Sequence, residues 1–205
     1  MASAGVGQQA PRSQLATVPV PLPDGFEIVP VGAEDPDRVA AVARLFAAYT
    51  DSLGIDLAYQ GYAAEVAGLP GKYGAPDGAL LLVVRRHRDG REGEEGETAV
   101  GCVALRPLPD GSTRRRRAEI KRLYVDPAAR GHRLGRALFA AVLAEARARG
   151  YDEVVLDTLA HMKEARRMYE GEGFVRLEEP YYEVAAGDGG GARHPEGTVF
   201  YRLEL

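Results

Sequence analysis

The segment from Leu123 to Leu138 constrains this chain more than any other part of it. The apolar run Leu123-Tyr124-Val125 is typical of a strand, and Asp126-Pro127 ends that strand. The loop Arg130-Gly131-His132-Arg133 follows, and helical periodicity begins at Leu134. A strand, a short loop and a helix in this order aim unpaired backbone N–H groups and the positive end of a helix dipole at one point. The segment therefore predicts an anion-binding site.

The composition of this loop indicates that the anion is a diphosphate. Gly131 and Gly135 lack side chains and allow a ligand to approach the backbone closely. Arg130, Arg133 and Arg136 add positive charge at the same place. The loop is neither a Walker loop nor the Gly-x-Gly-x-x-Gly loop of dinucleotide-binding folds. The alternative interpretation is a basic helix start that binds no ligand.

Composition excludes several classes of partner. The 205 residues include 26 basic and 30 acidic side chains, so the net charge of −4 gives no general attraction to nucleic acid or anionic lipid. No apolar run approaches the roughly 20 residues of a membrane-spanning helix. Cys102 is the only cysteine, which excludes an intrachain disulfide, and the four histidines lack metal-binding spacing. We expect no nucleic acid, membrane or metal partner. Since the start lacks a secretory signal, we expect a cytoplasmic location.

The order of predicted elements indicates a mixed α/β fold. Residues 1–24 predict a disordered N-terminal tail, and residues 25–205 predict a single domain. Strands are predicted at 26–30, 79–86, 98–105, 118–125, 153–157, 174–177 and 198–205, and helices at 36–51, 62–67 and 134–149, with a fourth that carries Met162, Ala165 and Tyr169. The helix of residues 134–149 joins two strands that should be parallel, in a sheet that is otherwise mostly antiparallel.

Three polar segments are interpreted as loops without a ligand. Arg86–Glu97 mixes both charge signs with glycine, which favours a solvated hairpin loop. The arginine run Arg114–Arg117 is either a solvated loop or a contact with an acidic partner or a nucleotide phosphate. Gly187–Pro195 is rich in glycine, but no helix follows it, so a flexible loop is favoured over a phosphate loop.

Two motifs together resemble the GNAT superfamily of acyl-CoA N-acyltransferases. Residues 130–135 are similar to the family pattern Arg/Gln-x-x-Gly-x-Gly/Ala at its first and sixth places. Arg133 stands at the fourth place, where an arginine can hold a helical backbone and still offer its N–H. Residues 165–174 are similar to Ala-x-x-x-Tyr-x-x-x-Gly-Phe, with Met162 where the family often has asparagine. Shorter stretches at 69–73, 119–125 and 180–182 look like a bacterial subgroup of unassigned substrate.

This resemblance implies a GNAT-like sheet in which two splayed parallel strands hold acetyl-CoA, the form of coenzyme A that carries the acetyl group. Pantetheine would pair with one strand like an added strand, and the diphosphate would lie on the loop and the helix start. A backbone N–H near Leu123 would stabilise the oxyanion. The implied cofactor-binding residues are Leu123, Tyr124, Val125, Arg130, Gly131, His132, Arg133, Leu134, Gly135 and Arg136.

The resemblance also implies Glu119 and Tyr169 as catalytic residues. Glu119 matches the place of the catalytic base in several family members, and strand alternation predicts that it shares a face with Lys121 and Leu123. Tyr169 matches the general acid that protonates the departing thiolate. The alternatives are a structural glutamate paired with Lys121 or with Arg114–Arg117, and a tyrosine of the core.

The expected function is transfer of an acetyl group from acetyl-CoA to a primary amine by direct attack. The acceptor is a small-molecule or protein amine, and the resemblance allows a homodimer. The alternatives are an acyltransferase that uses a longer acyl-CoA and a non-catalytic acyl-CoA-binding module. Glu119 and Tyr169 together favour an enzyme, and Asp157 is the next candidate for the base. Candidate acceptor-site residues are Tyr49, Asp51, Asp56, Tyr59, Lys72, Tyr73 and Tyr182.

Overall fold

In a computed structural model of the chain, residues 20–55, 61–88, 95–109, 115–183 and 194–205 are described. Most of the predicted tail, residues 1–19, lies outside these ranges. Residues 187–193 of the predicted glycine-rich loop, Arg114, Asp56 and Tyr59 also lie outside the described residues. None of the helices in the described ranges is both long and apolar enough to cross a membrane.

In the described ranges, seven strands form one sheet in the order β1-β2-β3-β4-β5-β7-β6. The strands are β1 (Phe26–Pro30), β2 (Ala79–Arg88), β3 (Glu95–Pro107), β4 (Arg117–Val125), β5 (Glu153–Leu159), β6 (Val175–Leu177) and β7 (Thr198–Glu204). Only the β4–β5 neighbours run parallel, and the other pairs are antiparallel. This arrangement confirms the predicted mixed, mostly antiparallel sheet with one parallel crossover.

Four α-helices flank the sheet: α1 (Pro36–Leu53), α2 (Tyr62–Ala67), α3 (Leu134–Ala148) and α4 (Lys163–Gly171). The Asp35 side chain caps α1 by accepting a hydrogen bond from the Arg38 N–H, and Gly54 ends the helix with a left-handed φ of 64°. One apolar core lies between the sheet and α3 with α4, and a second lies between the sheet and α1. The sheet is therefore the middle layer of three.

The parallel strands β4 and β5 separate along their length. Their pairing covers three positions, from Arg117 opposite Glu153 to Glu119 opposite Val155. Beyond Glu119, β4 stays paired with β3, and β5 stays paired with β7, but their facing edges diverge. The sheet therefore opens into a V between residues 120–125 and residues 156–159, as the splayed pair predicts.

A β-bulge interrupts β4 near its centre. Lys121 pairs with Ala104 of β3 and Tyr124 pairs with Cys102, so β4 has one extra residue between these pairs. Arg122 lies in the bulge with a left-handed φ of 57°.

The bulge changes which side chains share a face of β4. Before it, Glu119 hydrogen-bonds to Arg106 on the side of the sheet that carries α1. After it, Leu123 packs into the core beneath α3, together with Ile120. The prediction that Glu119 and Leu123 share a face is therefore wrong, because alternation does not continue through a bulge.

The charged loops are more ordered than the sequence predicts. Residues 86–88 and 95–97 of the predicted hairpin loop are paired strand, so only 89–94 lie outside the described residues. In the arginine run, Arg115 pairs with Glu204, Arg116 with Asp77 and Arg117 with Glu153. Arg115 and Arg116 are exposed and lie before β4, which agrees with the predicted solvated loop, whereas Arg117 is the first residue of β4. Their ion pairs connect elements of the fold.

Candidate active site

A cleft occupies the V between β4 and β5. Its floor is made by β4 and β5, one wall by the end of α1 and the other by α4. The residues that line it include Tyr49, Leu53, Lys121, Arg122, Leu123, Asp157, Thr158, Met162, Ala165 and Tyr169. Since the facing strand edges here do not pair with each other, their backbone groups are open to an extended ligand.

The loop between β4 and α3 lies at the open end of this V. Gly131 has a φ of 87°, which favours glycine, and Arg130, His132 and Arg133 are exposed. The first N–H groups of α3 have no carbonyl acceptor within the helix, and the helix dipole adds partial positive charge there. Arg136 is half-exposed and has Glu172 at 3.7 Å, so its guanidinium stays available to an anion.

Arg133 caps α3 with a left-handed backbone, φ 58° and ψ 16°. The expectation that it holds a helical backbone is therefore wrong. The same geometry explains why the family pattern has glycine at this place, since a left-handed backbone costs an L-residue roughly 1–2 kcal/mol. The arginine keeps its exposed side chain beside the predicted diphosphate site.

Gly135 lies in the first turn of α3, and the protein itself does not require a glycine there. A Cβ atom at this position would meet only the Val125 Cγ2 atom, at 3.7 Å. The space beside Gly135 therefore lets a diphosphate approach the helix start closely. These residues fit the coenzyme A group that the family resemblance implies.

Glu119 is fully buried and takes part in an ion pair. Its carboxylate accepts hydrogen bonds from the Arg106 guanidinium and, at 2.7 Å, from the Tyr181 hydroxyl. The Lys121 ammonium is 3.4 Å away. Glu119 is not among the residues that line the cleft in the described part of the chain. Its surroundings hold the carboxylate in place and separate it from the space where an acceptor would bind.

Asp157 lines the cleft directly and pairs with Lys121, whose Nζ atom is 3.1 Å from Oδ1. Burial raises the pKa of Asp157, but Lys121, Arg122 and the Tyr181 hydroxyl together outweigh burial and hold this pKa below its usual value. Burial lowers the pKa of Lys121, and Asp157 with Glu119 raises it further than burial lowers it. Both groups are therefore charged at neutral pH, and Asp157 is a carboxylate at the cleft wall.

Tyr169 projects from α4 into the same cleft. Its ring packs against Phe139, Phe174 and Tyr201, with centroid distances of 5.0, 6.2 and 6.1 Å. Burial raises the pKa of its hydroxyl, so the hydroxyl is protonated at neutral pH. The ring of Tyr169 is therefore packed in the core, and the residue also lines the cleft.

Two tyrosines before β7 extend the site on the side of the sheet that carries α1. The Tyr181 hydroxyl is 3.3 Å from Asp157 Oδ1, and the Tyr182 hydroxyl is 3.4 Å from Asp157 Oδ2. Tyr182 also stacks edge-on against His194, with ring centroids 4.7 Å apart. Asp157 therefore lies between a lysine and two phenols.

Comparison with known proteins agrees with this geometry. Residues 74–174 match the Acetyltransferase (GNAT) family. An uncharacterized N-acetyltransferase of Schizosaccharomyces pombe is 38% identical over 134 residues, which are 65% of this chain and 74% of that protein. An acetyltransferase structure from Streptococcus agalactiae has a TM-score of 0.63 and 24% identity, covering 89% of this chain and 99% of that one. A putative acetyltransferase from Salmonella typhimurium, determined with its cofactor acetyl-CoA, has a TM-score of 0.53 and 19% identity over 88% of this chain and 94% of that one.

The chain belongs to the GNAT acetyltransferase family. The predicted enzyme class, an acetyl-CoA-dependent N-acetyltransferase, is thereby confirmed, as is the predicted fold. The individual roles of the site residues and the acceptor stay predictions.

Of the sequence-predicted candidates for proton transfer, Asp157 and Tyr169 line the cleft, and Glu119 lies at the last paired position of β4 and β5, where the V begins. Sequence reasoning missed Arg106 as the partner of Glu119, which lies across the β3–β4 pair and has no local sequence signal. It also missed Tyr181, although the Pro180-Tyr181-Tyr182 stretch was part of the resemblance. Of the candidate acceptor residues, Tyr49 lines the cleft.

Proposed function

We propose that the chain transfers the acetyl group of acetyl-CoA to a primary amine that attacks the thioester directly. The observation that carries this proposal is the cleft between β4 and β5, which holds Asp157 and Tyr169 together and ends at the Arg130–Arg136 loop. The V accepts an extended chain, the loop accepts a diphosphate, and the two side chains supply groups that can move protons.

The residues that would bind the cofactor are those of the open β4 edge and the start of α3. Backbone groups of Leu123, Tyr124 and Val125 would pair with pantetheine, and residues 130–136 would bind the diphosphate. The bulge leaves Arg122 and Leu123 outside the β3–β4 register, while Tyr124 and Val125 pair with β3 again, and it re-aims the backbone N–H groups of Arg122 and Leu123. One of these N–H groups would stabilise the oxyanion that forms at the thioester carbonyl.

The reaction balances with three proton transfers when the amine arrives as an ammonium. Asp157 first takes the ammonium proton, directly or through water, and passes it to solvent, which frees the lone pair. The amine nitrogen then forms a bond to the thioester carbon, and the nitrogen loses its second proton to Asp157 as the amide forms. The carbon–sulfur bond breaks, and the Tyr169 hydroxyl gives a proton to the departing thiolate.

The structure favours Asp157 over Glu119 as the base. Asp157 lines the cleft and is ionised, whereas the Glu119 carboxylate is fully buried between Arg106, Lys121 and Tyr181. In this proposal Glu119 is a positioning residue that holds Lys121 and Tyr181 against Asp157. The earlier assignment of Glu119 as the base stays a prediction that the same experiment tests.

The test compares Asp157→Asn with Glu119→Gln by thiol release from acetyl-CoA over a range of pH. Cys102 is fully buried and hydrogen-bonded to the Arg122 carbonyl, so it should add no background to a thiol assay. We expect kcat/KM of Asp157→Asn to fall by about 10²-fold or more near neutral pH. The loss should shrink as pH approaches the pKa of the acceptor amine, because more amine then arrives neutral.

The Glu119→Gln variant should lose stability, and any loss of activity should not depend on pH. If instead Glu119→Gln shows the rescue at high pH and Asp157→Asn does not, Glu119 is the base. If the parent protein binds acetyl-CoA but releases no thiol with any class of amine, the chain is a binding module and the proposed function is wrong.

A further inference from the structure

Charged side chains crowd the α1 side of the sheet beside the cleft, and Lys121, Arg122 and Asp157 among them line it. Four cations meet there: Lys72, Arg106, Lys121 and Arg122. Three carboxylates face them: Glu65, Glu119 and Asp157. We call these seven residues the acceptor cluster. Four cations and three carboxylates leave one positive charge in excess among the described residues.

Three of the four cations have a close carboxylate of their own. Arg122 binds both oxygens of Glu65, with Nε–Oε1 at 2.9 Å and Nη2–Oε2 at 3.0 Å. Arg106 binds Glu119, and Lys121 binds Asp157 at 3.1 Å. Each of the three carboxylates in the acceptor cluster is therefore already paired with one of these three cations.

Lys72 is the cation that remains. Its nearest carboxylate oxygen is Glu65 Oε2 at 3.7 Å, and this oxygen already accepts a hydrogen bond from Arg122. The side chain of Lys72 is 38% exposed, whereas those of Lys121 and Arg122 are 6% and 2% exposed. Lys72 is therefore both weakly paired and accessible. Burial and the neighbouring Arg106 lower the pKa of Lys72, which shows that its positive charge lies among other cations.

We propose that the amine acceptor carries an anionic group, a carboxylate or a phosphate, which Lys72 binds. This inference rests on the proposed acetyl transfer and names the substrate class for that site. An acceptor with only an amine would bring a further cation into a cluster that already has one in excess. An acid group on the acceptor neutralises that excess and lets the amine lie near Asp157, since partly buried charges are poorly screened by salt.

Matched acceptor pairs test the charge requirement. Free amino acids are compared with their carboxamides, and phosphoethanolamine with ethanolamine, by thiol release from acetyl-CoA. In at least one of the two kinds of pair, we expect kcat/KM of the anionic acceptor to exceed that of its neutral partner by at least about tenfold. Amine basicity alone predicts the opposite for amino acids, because a carboxamide lowers the amine pKa and supplies more neutral amine. The two kinds of pair separate a carboxylate requirement from a phosphate requirement.

The variant Lys72→Met should remove this preference. We expect KM for the anionic acceptor to rise about tenfold, while kcat/KM for its neutral partner should not fall and should rise if the excess positive charge is what disfavours it. Lys163→Met is the matched control, because Lys163 is an exposed lysine on α4 and its loss should leave the ratio between the paired acceptors unchanged. Calorimetric titration of the same acceptors into CoA-saturated protein gives the same comparison without turnover.

The outcomes separate this inference from the function on which it rests. Thiol release with neutral amines or polyamines as fast as with their anionic counterparts overturns the charge inference and leaves acetyl transfer intact. An anionic preference that survives Lys72→Met also overturns the role of Lys72. No thiol release with any acceptor overturns acetyl transfer and the inference together.

Discussion

At the scale of single residues, two arginines hold left-handed backbones beside the cleft. Arg122 has a φ of 57° in the β4 bulge, and Arg133 has a φ of 58° at the start of α3. Each conformation costs an L-residue roughly 1–2 kcal/mol. Because the bulge and the helix start both border the cleft, the backbone strain is concentrated where the proposed cofactor would bind.

The strain at Arg133 predicts that Arg133→Gly stabilises the protein. Glycine adopts this backbone without a steric cost, and the loss of an exposed guanidinium removes little packing. Because glycine also gains entropy in the unfolded chain, we expect a net gain of up to about 1 kcal/mol in the free energy of unfolding. Urea denaturation measures it. Arg136→Gly, inside α3, should instead lower stability by about 1 kcal/mol. A destabilised Arg133→Gly protein would mean that the arginine side chain makes an important contact.

Tyr169 gives a second prediction at this scale. Tyr169→Phe keeps the ring among Phe139, Phe174 and Tyr201 and removes only the hydroxyl. If the hydroxyl protonates the thiolate, kcat should fall by about 10²-fold while the Kd for acetyl-CoA barely changes. The control is Tyr201→Phe, which removes a hydroxyl that contacts Arg166 and Glu170 in the same aromatic cluster. Equal activity of the two variants would assign Tyr169 to the core.

At the scale of elements, the buried pair Glu65–Arg122 connects α2 to the β4 bulge. The helix has six residues, and it buries none of its apolar residues fully. Arg122 also lies over the rings of Tyr49 and Tyr62, at 6.0 and 5.4 Å. The side chains of Glu65 and Arg122 are each only 2% exposed, so the pair is the main polar attachment of a short helix to the sheet.

Replacing one member of this ion pair should therefore lower the free energy of unfolding more than replacing both members. Glu65→Met leaves the Arg122 charge buried without its partner, and we expect a loss of about 3–5 kcal/mol in the free energy of unfolding. The double variant Glu65→Met with Arg122→Met should recover part of that loss, because it buries no unpaired charge. Chemical denaturation of the two proteins makes the comparison. A double variant less stable than Glu65→Met would show that Arg122 stabilises the bulge independently of Glu65.

The same pair sets a dependence of stability on pH. Burial raises the pKa of Glu65, but Arg122, with smaller contributions from Tyr73 and Lys72, outweighs burial, so the folded pKa lies below the unfolded value of about 4.3. A depressed folded pKa contributes stability that is complete above the unfolded value and is lost as pH falls through the folded value. The wild type should therefore lose more stability on acidification than the double variant does.

Element order could be predicted from the sequence because periodicity and chain breakers are local signals. The helices predicted at 36–51 and 134–149 and the parallel crossover through the second agree with the structure. The bulge could not be predicted, because one extra residue in β4 is defined only by its register against β3. For the same reason the sequence misplaced Glu119 relative to Leu123. Ion pairs such as Arg106–Glu119 join residues of two paired strands, so they also could not be predicted without knowing the register.

At the scale of the whole molecule, the cleft exists because β4 and β5 are each held from outside. β3 pairs with β4 on one side, and β7 pairs with β5 on the other, so the two strands can part between them without leaving the sheet. The apolar cores on the two faces keep the outer strands in place. A ligand that pairs with both inner edges would close the V, and binding should therefore stabilise the entire fold.

Acetyl-CoA should accordingly raise the melting temperature of the protein. A ligand at 100 times its Kd adds about 2.7 kcal/mol to the free energy of unfolding, which for a chain of this size is a shift of about 5–11 °C. Gly135→Glu should remove most of the shift, because it places a carboxylate beside the predicted diphosphate site. The variant should still fold, since a Cβ atom there meets only Val125 at 3.7 Å. Ala144→Glu adds the same charge at an exposed position of α3 and should keep the shift. A full shift in Gly135→Glu would show that the diphosphate binds elsewhere.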